Sequence, residues 1–546
     1  MKASNLLSGA AKAASYNIIL QLSTRILTFI LNAFILHYIS RDMLGVVNVR
    51  LTLLYSTGIF ISREAFNRAC LSHAGKTSWT QVINLLWLTV PCAAVASTAL
   101  GAIWLHLLQR PDPLIVPHYS IGVFAFAAST VIEVIAQPLW VITQAFMFVK
   151  LKVLMEGLLL IVKAALTMFL VIYKPHLGLI IFSLAQVLSM TVYVGAFYVF
   201  FIFYIQQRKD NKDFPLKTFR DFFPKFLQNQ PFINRDLTSL TWSFMKQSFL
   251  KQILTEGEKY VMTIFQVLSF ADQGIYDIIH NLGSLVPRFL FCPIEESSYL
   301  FFSQLLFRGK TLKQQSKESA RMAATVLRIL LTGVTLIGLT ILVYGYSYSF
   351  LALDMYGGSM LSSSSGPVLL RWYTVYVLII AVNGVSESFV FAVMSKKEVD
   401  RYNNMMLIFS VSFLTASWLF THYLGSIGFI LANCLNMFLR ILHSARFIWK
   451  YFQDGSVQPL RALLIRPLIL IGFCISFCFT CLSETLFCCD KGPVYRLVHV
   501  VIGGTCLLAN LLTVIILEKD SISFIWQQYK SQTKEPESKL DEKKTR

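Results

Sequence analysis

The chain has 546 residues, of which 55% are hydrophobic and only 14% are charged, and its mean hydropathy is +0.60. Soluble domains carry roughly 25% charged residues, so this composition excludes an ordinary soluble protein and indicates a polytopic membrane protein. The formal net charge of +19 is expected mainly in cytosolic connecting segments and at the membrane surface, so no nucleic-acid partner is expected.

Fourteen candidate spans follow one another along the chain, and each is long enough to cross a hydrocarbon core of about 30 Å. They cover residues 15–38, 45–62, 81–108, 117–145, 153–173, 177–205, 248–268, 275–302, 322–348, 368–393, 403–423, 427–449, 467–487 and 494–517. The sequence therefore predicts an all-α membrane protein with about 14 transmembrane helices.

A short segment of the first half returns in the second half at an offset of 247 residues. Residues 177–186 read L-G-L-I-I-F-S-L-A-Q, and residues 424–433 read L-G-S-I-G-F-I-L-A-N. A chance match in apolar sequence is the alternative, but the two copies open the sixth and the twelfth predicted span. Transporters built from paired halves place a polar site between them near the bilayer midplane.

The repeat predicts two six-helix lobes followed by two further helices. The predicted parts are an N-terminal lobe at 1–205, a cytosolic linker at 206–247, a C-terminal lobe at 248–450, two extra helices at 467–517 and a basic cytosolic tail at 518–546.

The Lys and Arg residues between the spans predict the orientation of the chain. If the N-terminus is cytosolic, the opposite side carries only Arg41, Arg110, Lys174 and Lys491. Cytosolic connections of membrane proteins are enriched in Lys and Arg, so both termini are predicted to be cytosolic.

The C-terminal residues suggest a subcellular localisation. The chain ends Lys543-Lys544-Thr545-Arg546, which places lysines at the third and fourth positions from the end. This is the arrangement of a dilysine retrieval signal of the endoplasmic reticulum, and the alternative is a solvated charged tail.

No motif of an enzyme or of a metal site emerges from the sequence. Cys474, Cys478 and Cys481 share one face of the thirteenth span, but no histidine or carboxylate joins that face. Packing is therefore the expected role of these cysteines. Neither catalysis nor a bound metal nor a cofactor is expected.

Polar residues inside the spans form stripes along single helix faces. The stripes comprise Gln21, Arg25, Thr28 and Asn32 in span 1; Glu133, Gln137 and Gln144 in span 4; Asp277, Asn281, Ser284, Arg288 and Glu295 in span 8; and Asn383 and Glu387 in span 10. An ionised group near the bilayer centre costs at least roughly 2.5–3.5 kcal/mol, so these side chains are expected to face a wet cavity or one another.

Four cations are predicted to form a binding site for an anionic substrate: Arg25, Arg63, Lys259 and Arg288. A guanidinium matches the oxygens of a phosphate bidentately and keeps its charge. Structural pairing is the alternative for two of them, because Lys259 can pair with Glu256 three residues before it and Arg63 stands beside Glu64. The predicted supporting polar residues are Asn32, Glu133, Glu256, Glu258, Asp277, Asn281 and Glu295.

Four segments of the chain carry motifs of a known family. They are Asn32–Cys70, Trp242–Met262, Ala352–Pro367 and Gly428–Asn436. These segments resemble the eukaryotic Rft proteins, and the resemblance extends over essentially the whole chain. One position departs from the family pattern, since this chain has His37 where a basic residue follows the F-I-L run in relatives.

The resemblance implies a fold and a function. The family belongs with the multidrug/oligosaccharidyl-lipid/polysaccharide exporters, which include MATE transporters and fourteen-span lipid II flippases. The implied function is movement of dolichol-diphosphate-linked oligomannose from the cytosolic to the lumenal face of the endoplasmic reticulum for N-glycosylation. Such a headgroup cannot cross hydrocarbon unaided, because each unpaired hydroxyl costs several kcal/mol.

An alternative stays open within this resemblance. A membrane scaffold or chaperone that delivers the lipid-linked oligosaccharide to lumenal glycosyltransferases would use the same diphosphate site, and those enzymes would then be its partners. The sequence assigns no coupling ion to either function.

Overall fold

The structure is a computed structural model that describes most of the chain. The described residues are 29–30, 33–36, 38–72, 78–146, 148–207, 214, 216–226, 231–453, 458–488, 492–519 and 523. Within these ranges the secondary structure is entirely helical, which confirms the predicted all-α class. The predicted site residues Arg25 and Asn32, and the retrieval signal at Lys543 and Lys544, lie outside the described residues.

The chain divides into two compact units, Met1–Asp277 and Ile278–Arg546. The division falls inside one helix, Phe270–Gly283. The predicted boundaries of the two six-helix lobes stay a prediction.

The first unit contains nine helices among its described residues, the last of which continues into the second unit. They are α1 (Arg41–Ser72), α2 (Trp79–His106), α3 (Tyr119–Val134), α4 (Gln137–Ala145), α5 (Val149–Tyr173), α6 (Leu179–Gln207), α7 (Arg235–Thr255), α8 (Gly257–Ile264) and α9 (Phe270–Gly283), with 3₁₀ turns at Pro175–Leu177 and Phe219–Phe222.

The second unit adds seven longer helices and several single turns in its described part. The helices are α10 (Cys292–Leu305), α11 (Lys317–Gly357), α12 (Gly366–Val393), α13 (Lys396–Leu424), α14 (Ile427–Tyr451), α15 (Pro467–Phe487) and α16 (Pro493–Leu517). The short elements are a π-helical turn at Pro287–Phe291, an α-helical turn at Ser359–Ser362, and 3₁₀ turns at Leu312–Gln314 and Pro459–Leu463.

Ten helices of the described part are long and apolar enough to cross a membrane, or eleven if the bent pair α3 and α4 forms one span. This confirms a polytopic membrane protein, while the count of 14 stays a prediction. The spans predicted as continuous at 248–268 and 275–302 are interrupted in the structure. One is broken at Glu256, between α7 and α8, and the other near Pro287, between α9 and α10. Proline lacks the backbone N–H of a regular helix and clashes with the preceding turn, which explains the second break.

Helix α7 begins earlier than predicted, inside the segment 206–247 that was expected to be a linker. Its first turn is capped by Asn234, whose side chain accepts hydrogen bonds from the backbone N–H groups of Asp236 and Leu237. A capping asparagine satisfies backbone donors that have no partner inside the helix, so the helix starts at Arg235.

Helix α1 carries two π-helical stretches, Gly45–Leu51 and Phe60–Glu64. Each extra residue in such a stretch shifts the side chains that follow it around the helix axis, and π-helical turns are frequent at functional sites. One arginine lies in each stretch, Arg50 in the first and Arg63 in the second.

The repeated sequence segments share a backbone conformation. Gly178 precedes α6 with φ +54°, and Gly425 precedes α14 with φ +60°. A positive φ is easily adopted only by glycine, which explains why both copies keep it. The sequence repeat is therefore also a local structural repeat.

Helices α11 and α12 pack against each other closely. A Cβ on Gly338 would lie 2.6 Å from a methyl carbon of Leu378, and one on Gly345 would lie 2.7 Å from the Thr374 methyl group. Small residues at such crossings allow helix backbones to approach in membranes. The last two helices attach to the same α11, where Ser347 bonds to Thr480 at 2.9 Å and Asn510 donates to the Tyr344 hydroxyl at 3.0 Å.

Candidate functional site

A carboxylate at the end of α3 joins two side chains of α1 in the first unit. Glu133, whose side chain is 7% exposed, accepts hydrogen bonds from the Tyr55 hydroxyl and from the Arg63 guanidinium. We call Tyr55, Glu133 and Arg63 the first triad. Glu133 lies just before the 46° bend between α3 and α4, so the bend brings the carboxylate to the π-helical stretch that carries Arg63.

Arg63 is only partly used by this ion pair. Its side chain is 28% exposed, and among the described residues it bonds only to Glu133. A guanidinium carries five N–H donors, so donors remain for a ligand. The neighbouring Glu64 pairs instead with Arg68 at 2.9 Å, because consecutive residues do not face each other on a helix while residues four apart do.

Other polar groups of the first unit surround the first triad. Gln137 donates to Asn67, which links α4 to α1. Glu156 on α5 and Tyr193 on α6 lie close enough to interact electrostatically with Arg63. Of the polar stripe predicted in span 4, Glu133 and Gln137 are thus buried inside the unit, and Gln144 is half-buried.

The predicted residues of α8 are paired with near neighbours. Lys259 pairs with Glu256 at 3.0 Å, as the structural alternative expected. Glu258 accepts a hydrogen bond from the Tyr276 hydroxyl at 2.7 Å. The hydroxyls of Tyr260 and Thr57 lie 2.8 Å apart, which ties α8 to α1.

The second unit contains a cluster of the same chemistry on α12, α13 and α14. Glu387, with a side chain 5% exposed, accepts hydrogen bonds from the Tyr402 hydroxyl at 2.6 Å and from the Arg440 guanidinium. Asn383 donates to the same carboxylate at 3.1 Å. We call Tyr402, Glu387 and Arg440 the second triad.

Arg440 is more enclosed than Arg63. Its side chain is 19% exposed, and its Nε is buried without a hydrogen-bond partner in the described part of the chain. A further carboxylate, Glu295 on α10, lies within electrostatic reach of Glu387 and Arg440. It approaches α12 at Gly384, where a Cβ would lie only 2.8 Å from the Glu295 Oε2.

The remaining predicted site residues lie outside both triads. Arg288 lies in the π-helical turn Pro287–Phe291, is exposed, and makes no ion pair with another described residue. Asn281 is exposed and Asp277 is half-buried, both on α9. The convergence of Arg63, Lys259 and Arg288 on one cavity stays a prediction.

Sequence reasoning missed three residues of the triads, Tyr55, Tyr402 and Arg440. A signal for Arg440 was present, because an arginine inside a predicted span is a candidate functional residue by itself. Its counterpart at the repeat offset of 247 residues is Tyr193, which lies beside the first triad. The tyrosines carried no such signal, since tyrosine is frequent in membrane helices without a polar partner.

The first triad offers the remaining guanidinium donors of Arg63, which suit the oxygens of a phosphate or a sugar. The hydroxyl protons of Tyr55 and Tyr402 are already donated to the two carboxylates. Within the described ranges, His, Cys, Asp and Glu side chains do not gather in groups of three that could hold a metal ion.

Comparison with known proteins identifies close relatives. A family model described as the Rft protein matches residues 9–528. The chain is 52% identical to the Man(5)GlcNAc(2)-PP-dolichol translocation protein RFT1 of Xenopus tropicalis, a match that covers 96% of this chain and 98% of that protein. It is 49% identical to the protein of the same name from Mus musculus, with 97% and 98% covered, and 39% identical to that of Drosophila melanogaster, with 96% and 98% covered.

Two solved structures share the architecture. The lipid II flippase MurJ in an inward closed conformation matches with a TM-score of 0.60 at 13% identity, covering 93% of this chain and 99% of that one. An inward-facing multidrug resistance MATE family transporter of the MOP superfamily matches with a TM-score of 0.51 at 13% identity, covering 80% and 99%. The predicted MATE-like and lipid II flippase-like fold is thereby confirmed.

Proposed function

The chain belongs to the Rft protein family, and on that premise we propose that it moves Man(5)GlcNAc(2)-PP-dolichol from the cytosolic to the lumenal face of the endoplasmic reticulum membrane for protein N-glycosylation. The observation that carries the proposal is 52% identity over nearly the full length of a relative named as the translocation protein of this lipid. The relatives are named for translocation, so an enzymatic activity is not proposed.

The proposed architecture has fourteen spans, arranged as two six-helix lobes and two further helices. The sequence repeat supports two lobes, and the fold shared with MurJ and MATE transporters is consistent with them. In such an arrangement the glycan and diphosphate would cross inside the protein while the dolichol chain stays in lipid.

The proposed orientation places both termini and the segment 206–247 in the cytosol. The distribution of Lys and Arg supports it, since only Arg41, Arg110, Lys174 and Lys491 would lie on the lumenal side between spans. Labelling of a single cysteine at position 230 with an impermeant reagent tests this in cells whose plasma membrane is permeabilised. Protection of that cysteine while the reticulum is intact would exclude the orientation.

Arg25, Arg63, Lys259 and Arg288 are proposed to bind the diphosphate. The unused donors of Arg63, held in place by Glu133, support this role. Glu258 and Asp277 would orient and partly neutralise the cations when no substrate is bound. Asn32, Asn281, Glu256 and Glu295 would contribute polar contacts to the headgroup.

Reconstitution tests the function directly. Purified protein in liposomes with fluorescent or radiolabelled Man(5)GlcNAc(2)-PP-dolichol should translocate the lipid, and Arg63→Gln should slow it by at least tenfold. The matched control is Arg68→Gln on the same helix, which removes the half-buried pair with Glu64 four residues before it and should leave translocation unchanged. Failure of the wild-type protein to translocate, with normal glycolipid binding, would favour the scaffold that delivers the lipid to glycosyltransferases.

Complementation tests the predicted cation site in cells. Arg25→Glu combined with Arg288→Glu adds repulsion to the diphosphate and should abolish N-glycosylation in depleted cells. Abundance has to be checked, because a buried charge change also reduces folding. Full rescue at normal abundance would exclude the anion site, whereas partial rescue by lysine at both positions would support it.

A further inference from the structure

Arg50 lies in the first π-helical stretch of α1 and is completely buried. Its relative exposure is 0%, and its Nε, Nη1 and Nη2 atoms have no hydrogen-bond partner among the described residues. The guanidinium lies over the ring of Phe270, 5.1 Å from the ring centroid. The aromatic ring stabilises the positive charge from one face of the guanidinium. It accepts no hydrogen bond from the N–H groups, which lie in the guanidinium plane.

A second buried donor lies near Arg50. The Tyr119 hydroxyl, at the start of α3, has no hydrogen-bond partner in the described part, and the residue is only 7% exposed. Tyr119 and Arg50 lie within electrostatic reach of each other, and Arg110 is within reach of Tyr119. The packing agrees with this proximity, because a Cβ on Gly122, three residues after Tyr119, would lie 3.0 Å from a methyl carbon of Leu51.

Arg50 differs from Arg63 in having no acidic partner. Glu133 neutralises Arg63, whereas no carboxylate of the described residues interacts electrostatically with Arg50. A buried charge without a counter-charge is strongly unfavourable, and a buried N–H donor without an acceptor adds to that cost. Two neighbouring orphan donor groups and one net positive charge are complementary to an oxyanion.

We propose that Arg50 and Tyr119 form a second oxyanion site on α1, which binds a phosphate group. This inference rests on the proposed function and extends it. Arg50 and Arg63 are thirteen residues apart on one helix, which corresponds to about 20 Å along its axis. In the proposed orientation Arg63 is near the cytosolic end and Arg50 near the lumenal end, so the Arg50 site receives the diphosphate before its release.

A close backbone contact between α1 and α9 lies beside this site. A Cβ on Gly45 would lie 1.8 Å from the carbonyl oxygen of Phe270, and one on Gly274 would lie 2.5 Å from that of Arg41. The two helices therefore touch through glycines five residues before Arg50, and Phe270 itself covers the guanidinium. Separation of α1 and α9 at these glycines would move Phe270 away from the Arg50 guanidinium.

Thermal unfolding of the purified full chain tests the site, with inorganic diphosphate as the probe. Diphosphate should raise the melting temperature of the wild type, with at least about tenfold weaker apparent affinity for Arg50→Gln, because hydrogen bonds to a charged group are lost. Tyr119→Phe keeps the ring and removes only the hydroxyl, so it should fold normally and also weaken the response. The matched control is Arg68→Gln, an arginine on the same helix that already has a carboxylate partner, and its response should equal that of the wild type.

A purely structural role for these residues gives a different result. Removing an unpaired buried hydroxyl is then neutral or stabilising without diphosphate, and the diphosphate response of Tyr119→Phe and Arg50→Gln equals that of the wild type. That outcome, or the absence of any response in the wild type to either probe, would overturn the proposal.

A second arm with dolichyl diphosphate in nanodiscs identifies the source of the phosphate. An Arg50-dependent response to both probes shows a site for the oxyanion itself, and a response to the lipid alone assigns the site to the lipid headgroup; both support the site. Arg50-dependent binding without translocation in liposomes would keep the site and reject the proposed function. If the protein translocates the lipid but its diphosphate binding does not depend on Arg50, the proposed function is kept and the Arg50 site is rejected.

Discussion

The first triad and the second triad contain the same three residue types, yet they are built differently. In the first, Arg63 comes from the same helix as Tyr55 and reaches Glu133 on α3. In the second, Tyr402, Glu387 and Arg440 come from three helices, and Asn383 adds a further hydrogen bond to the carboxylate. Arg63 keeps exposed donors, whereas the Nε of Arg440 is buried without a partner among the described residues.

This difference indicates two uses of one ion-pair chemistry. A carboxylate that takes one edge of a guanidinium offsets the cost of placing the cation in the membrane and leaves its other edge for a ligand. A carboxylate surrounded by donors from three helices holds those helices together. We therefore expect the first triad to matter mainly for substrate and the second mainly for stability.

The largest effect is expected from breaking the second triad. Glu387→Gln removes the carboxylate that is bonded to Arg440 and leaves only Glu295 within electrostatic reach, so it should lower the free energy of unfolding by about 3–5 kcal/mol. Thermal unfolding in detergent and steady-state abundance measure it. The double variant Glu387→Gln with Arg440→Met removes both charges and should recover much of the loss. Unchanged stability of the single variant would contradict a structural role for this triad.

The next prediction compares Arg63 and Arg440 by two effects of their substitution, the loss of translocation and the loss of stability. Arg63→Gln should reduce the rate of glycolipid translocation in liposomes by at least tenfold, with a smaller loss of stability than Arg440→Gln causes. Arg440→Gln should lose more stability than translocation, because Arg440 is the more enclosed of the two arginines and its ion pair is part of a cluster that joins three helices. Arg68→Gln serves as the control, because Arg68 is about as buried as Arg63 and pairs with Glu64 on its own helix. If the loss of translocation relative to the loss of stability is the same for Arg63 and Arg440, the two triads do not have different roles.

A smaller effect is expected from the tyrosines. Tyr402 is 1% exposed, so Tyr402→Phe should cost about 1.5–3 kcal/mol, the range for a hydrogen bond to a charged group. Tyr55 is only half-buried, so its hydrogen bond is less fully enclosed and Tyr55→Phe should cost less. Denaturation of the two variants side by side checks the order. A larger cost at Tyr55 would show that the first triad is the more enclosed cluster.

The smallest change in stability is expected at the Lys259–Glu256 pair. The pair is local and its Lys259 side chain is 28% exposed, so Lys259→Met should alter the free energy of unfolding by less than about 0.5 kcal/mol. If Lys259 also binds diphosphate, translocation should fall several-fold at nearly unchanged stability. Normal translocation by this variant would remove Lys259 from the site and leave only its structural pairing.

The sequence predicted the buried carboxylates of the two triads but not which arginines pair with them. Glu133 and Glu387 were both recognised as polar positions inside apolar spans, and both are buried in the structure. The partner of Glu133 was not recognised, because Arg63 is 70 residues away and its facing direction depends on the π-helical stretch Phe60–Glu64. Helical periodicity describes neighbours on one helix, and π-helical turns shift even that register.

Hydropathy did not predict the ends of helices, even where a residue forces one. Pro287 marks a break in the chain of predicted span 8, yet hydropathy alone drew 275–302 as continuous. Helix α11 extends well beyond its predicted 322–348, to Lys317–Gly357, because residues outside the apolar window still favour a helix until Gly358 adopts φ +63°. Hydropathy reports the part of a helix that lies in lipid, so it cannot find the end of a helix that continues into water.

The length of α11 has a mechanical consequence. Its 41 residues correspond to a rod of about 60 Å, roughly twice the thickness of the hydrocarbon core. Helix α12 packs closely against it at Gly338 and Gly345. Helices α15 and α16 are hydrogen-bonded to it through Thr480 and Asn510. A tilt of the rod by about 10° would displace one end by about 10 Å relative to the other. The three attached helices would move with it, so a small displacement at one membrane surface would become a larger one at the opposite surface.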